Sequence, residues 1–320
     1  MFCMPVQRGG IKLSVHSTQS EQNLPAGVLL ISPHSNGRSF ETSRIVDGVS
    51  VPAFFYGTAW KEERTRALTE SALAAGFRAI DTANQRRHYF EAGVGEALGS
   101  LPREAIFLQT KFTYARGQDH RKPYDADADV ATQVVQSMDS SLQHLGTPYV
   151  DSFLLHGPSA GTGISDDDRE VWRAMGELQR AGKTRLLGVS NVSVEQLGLL
   201  IDVAGAVGAA KPSFVQNRCY ARTGWDREVR ALCHAHGMAY QGFSLLTANR
   251  TEIASPELGS IARRTGRTLS QVVFRFAMQV GMIPLTGTSS PAHLREDLAC
   301  FEFDLSPADI ASIERVGQPG

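Results

Sequence analysis

The segment GFRAIDTA, which spans Gly76–Ala83, gives the clearest indication of the fold. The stretch before it, Lys61–Ala75, repeats apolar residues at helical spacing, and a glycine directly after such a stretch typically ends a helix. Phe77–Ile80 is a short, largely apolar run of the kind that forms a buried strand, and Asp81 follows it. The segment therefore predicts a helix, a turn and a buried strand with a carboxylate at its carboxyl end.

The same unit repeats along the chain. Eight strand-like runs alternate with helical patterns: Ala53–Gly57, Phe77–Ile80, Ile106–Lys111, Val150–Leu155, Leu186–Ser190, Phe214–Gln216, Met238–Phe243 and Met282–Pro284. Strict alternation predicts parallel strands joined by crossover helices. Eight units in about 270 residues favour a closed (β/α)8 TIM barrel of the α/β class. No GxGxxG motif follows an early strand, which argues against a Rossmann domain.

Two further features precede the first barrel strand. Ser43–Pro52 alternates around Asp47-Gly48, a dipeptide typical of tight turns, and predicts an N-terminal β-hairpin. Residues 1–42 are serine-rich and show little periodicity, so we interpret them as an N-terminal extension, either disordered or a targeting leader. The predicted organisation is this extension over residues 1–42 and one barrel domain over residues 43–320.

Composition limits the classes of function. The 320 residues include 32 basic and 33 acidic side chains, for a net charge of −1 at pH 7. This balance argues against nucleic-acid partners, and no apolar run approaches the about 20 residues of a membrane span. The 4 cysteines are widely spaced, which disfavours a disulfide framework or a metal site and favours a reducing compartment. We expect a cytoplasmic, monomeric protein that binds no metal.

Polar residues follow the predicted strands at their carboxyl ends, where a barrel places its active site. Asp81 ends the second strand, Lys111 ends the third, and His156 follows the fourth. Tyr89 lies in the loop after Asp81. Taken singly, each has an ordinary structural explanation: a turn cap, a rim lysine, a buried histidine and a surface tyrosine. Taken together on consecutive strand ends, they indicate a site for proton-transfer chemistry.

These residues, in this order, resemble those of the aldo-keto reductases. The similarity includes the stretches Gly182–Asn191 and Ile283–Ser290 and extends over residues 44–316. It implies a (β/α)8 barrel that binds NADPH without a Rossmann fold. It also implies an enzyme, an oxidoreductase acting on CH–OH groups, which reduces an aldehyde or ketone to an alcohol by hydride transfer from nicotinamide, or catalyses the reverse oxidation.

Four catalytic roles follow from the resemblance. Tyr89 is the proton donor to the developing alkoxide, and Lys111 supplies a positive charge that favours the phenolate. Asp81 forms a salt bridge with Lys111 and holds it in place. His156 orients the carbonyl oxygen and shares in stabilising the charge that forms there.

The sequence departs from the family pattern at the tyrosine. The family usually has this tyrosine five residues after the aspartate, within Tyr-x-Asn-Glu, and here that position is Arg86. Alignment backwards from Val94-Gly95 instead places His88 in the tyrosine column, with Tyr89 beside it. We assign the role to Tyr89 because a phenol has the required acid–base chemistry. His88 is the alternative proton donor.

The resemblance also implies a set of cofactor-binding residues. Ser190, Asn191 and Gln216 bind the nicotinamide carboxamide, and Phe243 stacks on the ring in place of the more usual Tyr. The remaining cofactor positions are Gly57, Thr58, Asp81, Ser244, Leu245, Gly287, Thr288, Ser289, Ser290, His293 and Asp297.

NADPH is the expected cofactor, and NADH stays open as an alternative. Gly287 and His293 stand where the family has a Lys and an Arg that grip the ribose 2′-phosphate. Arg295 could replace that grip, with hydrogen bonds from Ser289 or Ser290. Asp297 stands in place of an Asn that is common near the adenine.

The expected substrate is a small-molecule carbonyl compound, and the barrel mouth is expected to admit bulky or varied carbonyls. The residues expected to line its side of the site are Trp60, Tyr114 and Tyr124. The long loop after the third strand also carries Arg116, Arg121 and Lys122, which could favour an acidic or phosphate-bearing substrate or could simply face solvent. Gly157-Pro158 in place of a Trp after the histidine, together with a short C-terminal segment, predicts an open mouth.

Two other functions stay open at this point. One is a cofactor-binding regulatory barrel subunit with little turnover, which the altered loop around Tyr89 favours and the intact Asp81, Lys111 and His156 disfavour. The other is a different barrel enzyme, such as an aldolase or isomerase with a phosphate site, which would make the nicotinamide-binding residues a coincidence.

Overall fold

The computed structural model describes residues 42–99 and 101–318 of the chain. At its centre is a closed barrel of parallel strands, in which each strand pairs with the next along the chain and the last pairs with the first. The eight barrel strands, numbered after the two of an N-terminal hairpin, are β3 (Phe55–Gly57), β4 (Ala79–Asp81), β5 (Phe107–Phe112), β6 (Val150–Leu155), β7 (Thr184–Ser190), β8 (Phe214–Arg218), β9 (Ala239–Phe243) and β10 (Met282–Thr286). The predicted (β/α)8 barrel is confirmed.

Helices alternate with these strands and pack against the outside of the barrel. They are α1 (Thr65–Ala75), α2 (Glu91–Leu98), α3 (Val130–Leu145), α4 (Asp166–Arg180), α5 (Val194–Ala206), α6 (Arg227–Ala235), α7 (Arg250–Ile253), α8 (Pro256–Thr265), α9 (Leu269–Gln279), α10 (Pro291–Leu298) and α11 (Pro307–Arg315). Capping boxes begin α4, α5, α9 and α11. These caps satisfy backbone N–H groups that a helix start leaves unpaired.

The segment Gly76–Ala83 folds largely as predicted, but its strand begins later than expected. Gly76 ends α1 with φ of 118°, a conformation that favours glycine. The amides of Gly76 and Phe77 both donate to the carbonyl of Ala72 in the last turn of α1. Phe77 is therefore part of the helix cap, and β4 begins two residues later, at Ala79.

The predicted hairpin closes the amino end of the barrel. Its strands are β1 (Ser43–Val46) and β2 (Val49–Pro52), joined at Asp47-Gly48, where both residues have positive φ. The valines of the hairpin pack in one cluster with inward-facing residues such as Phe107 and Phe214. Arg44 donates to the carbonyl oxygens of Gly281 and Met282. Because this end is covered, the open end of the barrel is the one where the strands finish.

Two predictions concern the N-terminal extension and the lack of a membrane-spanning segment. Apart from Thr42, the extension predicted over residues 1–42 lies outside the described residues. In the part of the chain that is described, no helix combines the length and apolar character needed to cross a membrane.

Gly95 of α2 offers a test of the packing between α2 and α3. A Cβ at this position would overlap the His144 carbonyl oxygen and lie 2.9 Å from the Cα of Leu145. We expect Gly95→Ala to lower the free energy of unfolding by about 1–3 kcal/mol, because this overlap outweighs the gain in helix propensity. Urea unfolding followed by circular dichroism measures the change.

Gly205 of α5 provides the matched control for this substitution. It is exposed, and nothing lies within 4 Å of the Cβ that alanine would add. Gly205→Ala is expected to raise the free energy of unfolding by about 1 kcal/mol, because only helix propensity changes. Equal effects of the two substitutions would contradict the close packing of α2 on α3.

Candidate active site

A buried ion pair lies at the open end of the barrel. Asp81 is the last residue of β4, and Lys111 lies near the end of the neighbouring strand β5, with both side chains directed inward. The Lys111 ammonium donates to Asp81 Oδ1 at 2.6 Å and to the Thr82 carbonyl oxygen at 2.8 Å. The Lys111 side chain has no exposed surface. Burial lowers the pKa of Lys111, while Asp81 opposes the shift.

Three glutamines extend this pair across the barrel interior. Gln109 and Gln216 donate to Asp81 Oδ1 at 2.7 Å and 3.0 Å. The same two amide groups donate to Gln241 Oε1, and Gln241 in turn donates to Gln109 Oε1. A carboxylate only accepts hydrogen bonds, so Asp81 fixes which way the amides of Gln109 and Gln216 point. The Gln216 oxygen is consequently the end that is turned away from Asp81.

Tyr89 and His156 lie beside the ion pair. The Tyr89 ring centroid is 5.4 Å from the Lys111 ammonium and 5.9 Å from the centroid of the His156 ring, to which it is roughly perpendicular. The Tyr89 hydroxyl has no hydrogen-bond partner among the described residues. Burial, and secondly the charge of Asp81, raise the pKa of Tyr89 above its ordinary value. Tyr89 is therefore protonated at neutral pH.

The structure separates His88 from Tyr89. The His88 ring stacks against Trp60, with centroids 3.9 Å apart, and its Nδ1 lies 2.7 Å from Gln85 Oε1. Trp60 is 68% exposed. His88 thus lies at the rim of the site with Trp60, whereas Tyr89 is the residue in contact with Lys111 and His156.

His156 is held as a neutral imidazole. Its Nδ1 lies 2.7 Å from the hydroxyl oxygen of Thr113, and Asn191 donates to its backbone carbonyl. Burial, followed by the charges of Lys111 and His88, lowers the pKa of His156 to about 3. If the Thr113 hydroxyl donates to Nδ1, the ring proton is on Nε2, and that N–H is available to a ligand.

These side chains line an open pocket of about 660 Å³. It contains Tyr89 and His156 on its floor and the Trp60–His88 pair at its rim. The other lining residues are Gln85, Thr113, Tyr114, Arg116, Gly117, Gly157, Pro158, Ala160, Gly161, Asn191 and Gln196. The pocket is large enough for a small carbonyl compound.

The two predicted substrate tyrosines occupy different places. Tyr114 lines the pocket, but its hydroxyl donates to the buried Asp168 carboxylate at 2.7 Å. Tyr124 does not line it: the side chain is buried against Phe112, and its hydroxyl donates to the Thr113 carbonyl at 2.6 Å. Tyr124 therefore shapes the pocket only indirectly, through the backbone of Thr113.

The expected nicotinamide residues lie at the ends of β7, β8 and β9. The Ser190 hydroxyl donates to the Gln216 backbone carbonyl at 2.5 Å, and the Asn191 amide donates to Ser190 Oγ. Asn191 is exposed and has φ of 55°, which directs its side chain back toward His156. Phe243 is half-buried and packs against the cluster of apolar residues that includes Phe107 and Phe214.

The expected phosphate residues cluster near the start of α10. Ser290 is the N-cap of α10, and its hydroxyl accepts from the His293 amide. His293 itself is exposed. Asp297 is buried, accepts from the Thr286 hydroxyl at 2.8 Å, and has a pKa raised by burial to about 6. Of the remaining positions, Gly287 and Ser289 are exposed, Gly57, Ser244 and Thr288 are half-buried, and Thr58 and Leu245 are buried.

Sequence reasoning missed several residues of this site. Gln109 and Gln241 lie two positions before Lys111 and Phe243, so strand alternation places each pair on the same face. This two-residue spacing could have indicated that Gln109 faces the same side as Lys111, and Gln241 the same side as Phe243. The contact of Thr113 with His156 and the bond from the Lys61 ammonium to the Gly287 carbonyl join distant segments. No local pattern could have indicated these two contacts.

Comparisons with known proteins identify the family of the chain. The Aldo/keto reductase family model matches residues 54–318, so the chain belongs to the aldo/keto reductase family. An aldo-keto reductase of Mycolicibacterium smegmatis is 31% identical over 271 residues, which cover 83% of this chain and 90% of that protein. A glyoxal reductase of Bacillus subtilis is 27% identical over 281 residues, covering 87% and 93%.

A solved structure shows the same architecture. The crystal structure of an aldo/keto reductase from Brucella melitensis has a TM-score of 0.73 and 27% identity, and the match covers 87% of this chain and 99% of that one. Family and fold together support oxidoreductase activity on small carbonyl compounds with a nicotinamide cofactor.

The depressed pKa of His156 predicts a dependence of stability on pH. The unfolded chain takes up a proton at this histidine below its ordinary pKa of 6.5, whereas the folded protein does so only near 3. The free energy of unfolding should therefore fall with decreasing pH in this window, by about 1.4 kcal/mol per unit from this group. His156→Gln should remove that part of the slope, measured by urea unfolding at pH values of about 7 and about 5.

His144 supplies a control of opposite sign. Its pKa is raised, chiefly by the hydrogen bond to Glu91, so its contribution to stability is present at low pH and is lost as the pH rises through the folded-state pKa. His144→Gln should therefore steepen the loss of stability on acidification. A slope unchanged by His156→Gln would contradict the neutral, desolvated state of His156.

Proposed function

We propose that this protein is an NAD(P)H-dependent reductase of aldehydes or ketones, with Tyr89 as the proton donor. The observation that carries the proposal is the position of the Tyr89 ring, 5.4 Å from the Lys111 ammonium and 5.9 Å from the His156 ring in one pocket. A hydroxyl with no partner among the described residues is free to meet a substrate oxygen.

Tyr89 would act as the general acid. Its raised pKa keeps the phenol protonated at neutral pH, so the proton needed for reduction is already in place. An alkoxide is a stronger base than a phenolate, so transfer of the Tyr89 proton to it is favourable. The nearby Lys111 ammonium would stabilise the phenolate that remains, and Asp81 would hold that ammonium in position.

His156 would bind the carbonyl oxygen before the reaction. A neutral imidazole with its proton on Nε2 can donate one hydrogen bond to that oxygen, and Thr113 would maintain this tautomer from the other ring nitrogen. The Tyr89 hydroxyl would supply a second donor. The oxygen would thus be held between two groups that stabilise the charge it gains.

The described residues fit a nicotinamide dinucleotide. The Gln216 amide oxygen, turned away from Asp81, is an acceptor suited to a carboxamide N–H, and Phe243 offers a half-buried ring for stacking. Gly287 lies next to Gly57, and a Cβ added at Gly287 would be in ordinary van der Waals contact with the Gly57 carbonyl oxygen, at 3.5 Å. When bound, the reduced cofactor supplies a hydride to the carbonyl carbon.

Replacing the Tyr89 hydroxyl tests the assignment. We expect Tyr89→Phe to lower kcat for reduction of para-nitrobenzaldehyde or glyoxal about 100- to 10,000-fold, since the general acid is lost. Binding of NADPH, measured by fluorescence titration, should stay within about twofold of the original affinity, because the hydroxyl is not needed to hold the cofactor. Glyoxal is included because the Bacillus subtilis relative is named for it.

Tyr149→Phe is the matched control, because Tyr149 directly precedes the amino end of β6 and lies far from the pocket along that strand. His88→Ala tests the alternative proton donor. An active Tyr89→Phe variant together with an inactive His88→Ala variant would transfer the role to His88. Cofactor binding without turnover of any carbonyl would favour a regulatory barrel.

We propose NADPH as the preferred cofactor, with Arg295 on α10 as the group that binds the 2′-phosphate. Arg295 is exposed near the Ser290 cap, where the phosphate of NADPH would meet a guanidinium and a hydroxyl. Arg295→Leu should raise KM for NADPH about tenfold and leave KM for NADH unchanged. Arg180→Leu, at the opposite end of the barrel on α4, is the control. A lower KM for NADH than for NADPH in the unmodified protein would overturn the preference.

A further inference from the structure

We propose that the substrate carries an anionic group, a carboxylate or a phosphate, and that Arg116 binds this group. The inference rests on the proposed carbonyl reduction and names the class of carbonyl compound. Arg116 lines the same pocket as Tyr89 and His156, in the loop that follows β5. A single molecule in that pocket can therefore present a carbonyl to Tyr89 and an anion to Arg116.

Arg116 is positioned at the mouth of the pocket. One terminal nitrogen of its guanidinium donates to the Pro158 carbonyl oxygen at 2.6 Å, which ties the loop after β5 to the loop after β6. Its guanidinium carbon is 5.9 Å from the centre of the Tyr114 ring. A guanidinium has five N–H donors, so this arrangement orients the group and leaves donors for an anion.

The charge of Arg116 is not neutralised within the described chain. No Asp or Glu is among the residues that line the pocket, and no described carboxylate forms an ion pair with Arg116. Two other arginines near the pocket differ in this respect. Arg121 pairs with Asp119, and Arg86 pairs with Glu63. The pocket therefore presents an uncompensated positive charge to its ligand.

Polar side chains elsewhere in the pocket, such as Gln85 and Gln196, already donate to backbone carbonyl oxygens of the protein. The hydroxyl of Tyr114 is committed to Asp168, so this residue presents its ring. At the rim, the Trp60 ring packs against His88 at an angle of 39° and is itself exposed, which suits an apolar or aromatic substrate body. A carbonyl compound with an apolar middle and a terminal anion matches this distribution.

Two matched aldehydes test the inference. The anion para-formylbenzoate and its neutral methyl ester share the ring and the reacting aldehyde. Arg116→Ala should lower kcat/KM about 10- to 100-fold for the anion and change it less than about twofold for the ester, since only a charge-assisted contact is lost. Arg116→Lys should retain part of the effect, and a higher ionic strength should weaken it. The loss for para-formylphenyl phosphate, compared with its neutral methoxy analogue, shows whether phosphate is bound more tightly than carboxylate.

Arg121→Ala is the control for net charge. Arg121 belongs to the same loop and loses the same charge, but it is paired with Asp119 and lines a neighbouring pocket of about 230 Å³, which meets the larger one at Gln85 and Tyr89. It should leave the ratio of the two substrates unchanged. Equal losses for anion and ester in Arg116→Ala would show that the bond to Pro158 only shapes the loop, and would overturn the inference. The absence of any loss would overturn it as well.

A binding measurement separates this inference from the proposed function. Para-toluate has the same ring and the same single carboxylate but a methyl group in place of the aldehyde, and its binding in the presence of NADPH can be followed by calorimetry. Binding to the unmodified protein and not to Arg116→Ala supports the anion site even if neither aldehyde is reduced, in which case only the reductase assignment fails. Reduction of the ester with no para-toluate binding would keep the reductase and reject the anion site.

Discussion

The site depends on a single acceptor atom, Oδ1 of Asp81. This oxygen accepts from the Lys111 ammonium and from two glutamine amides, all inside the barrel. Removing one partner of a buried ion pair typically costs about 3–5 kcal/mol, because the other charge stays buried without compensation. Asp81 is therefore both a structural requirement and the group that determines where the Lys111 charge lies. The proposed roles of Tyr89 and His156 depend on how close these side chains lie to that charge.

Much of the fold could be predicted from sequence because each barrel strand is buried on both faces. Val150–Leu155 stands out as an apolar run, and its bounds were predicted without error. The first residues of the less regular strands were harder to predict. Phe77 is apolar, but its amide completes the cap of α1, so the strand begins at Ala79. Apolar character alone does not distinguish a residue that ends a helix from one that begins a strand.

The candidate site could be predicted in part, for a related reason. Residues at strand ends meet in space once the barrel is assumed, so Asp81, Lys111 and His156 were expected to be neighbours. Loops follow no such rule. The choice between His88 and Tyr89 depended on a loop with no regular period, and their different surroundings became visible only with the Trp60 and Lys111 contacts in place. Tyr124 likewise had the right residue type in the right loop but packs inward.

The hydrogen-bonded glutamines of the barrel interior limit which substitutions this sequence can accept during evolution. Gln109 and Gln241 each donate to the oxygen of the other, and Gln216 donates to Gln241. The orientation of these amides is set by the Asp81 carboxylate, which has no hydrogen to donate. An apolar residue at position 109 or 241 would leave a hydrogen-bond donor or acceptor of a neighbouring side chain unpaired in the buried interior. Substitutions at positions 109 and 241 are therefore expected to occur together, with polar side chains gained or lost as a group.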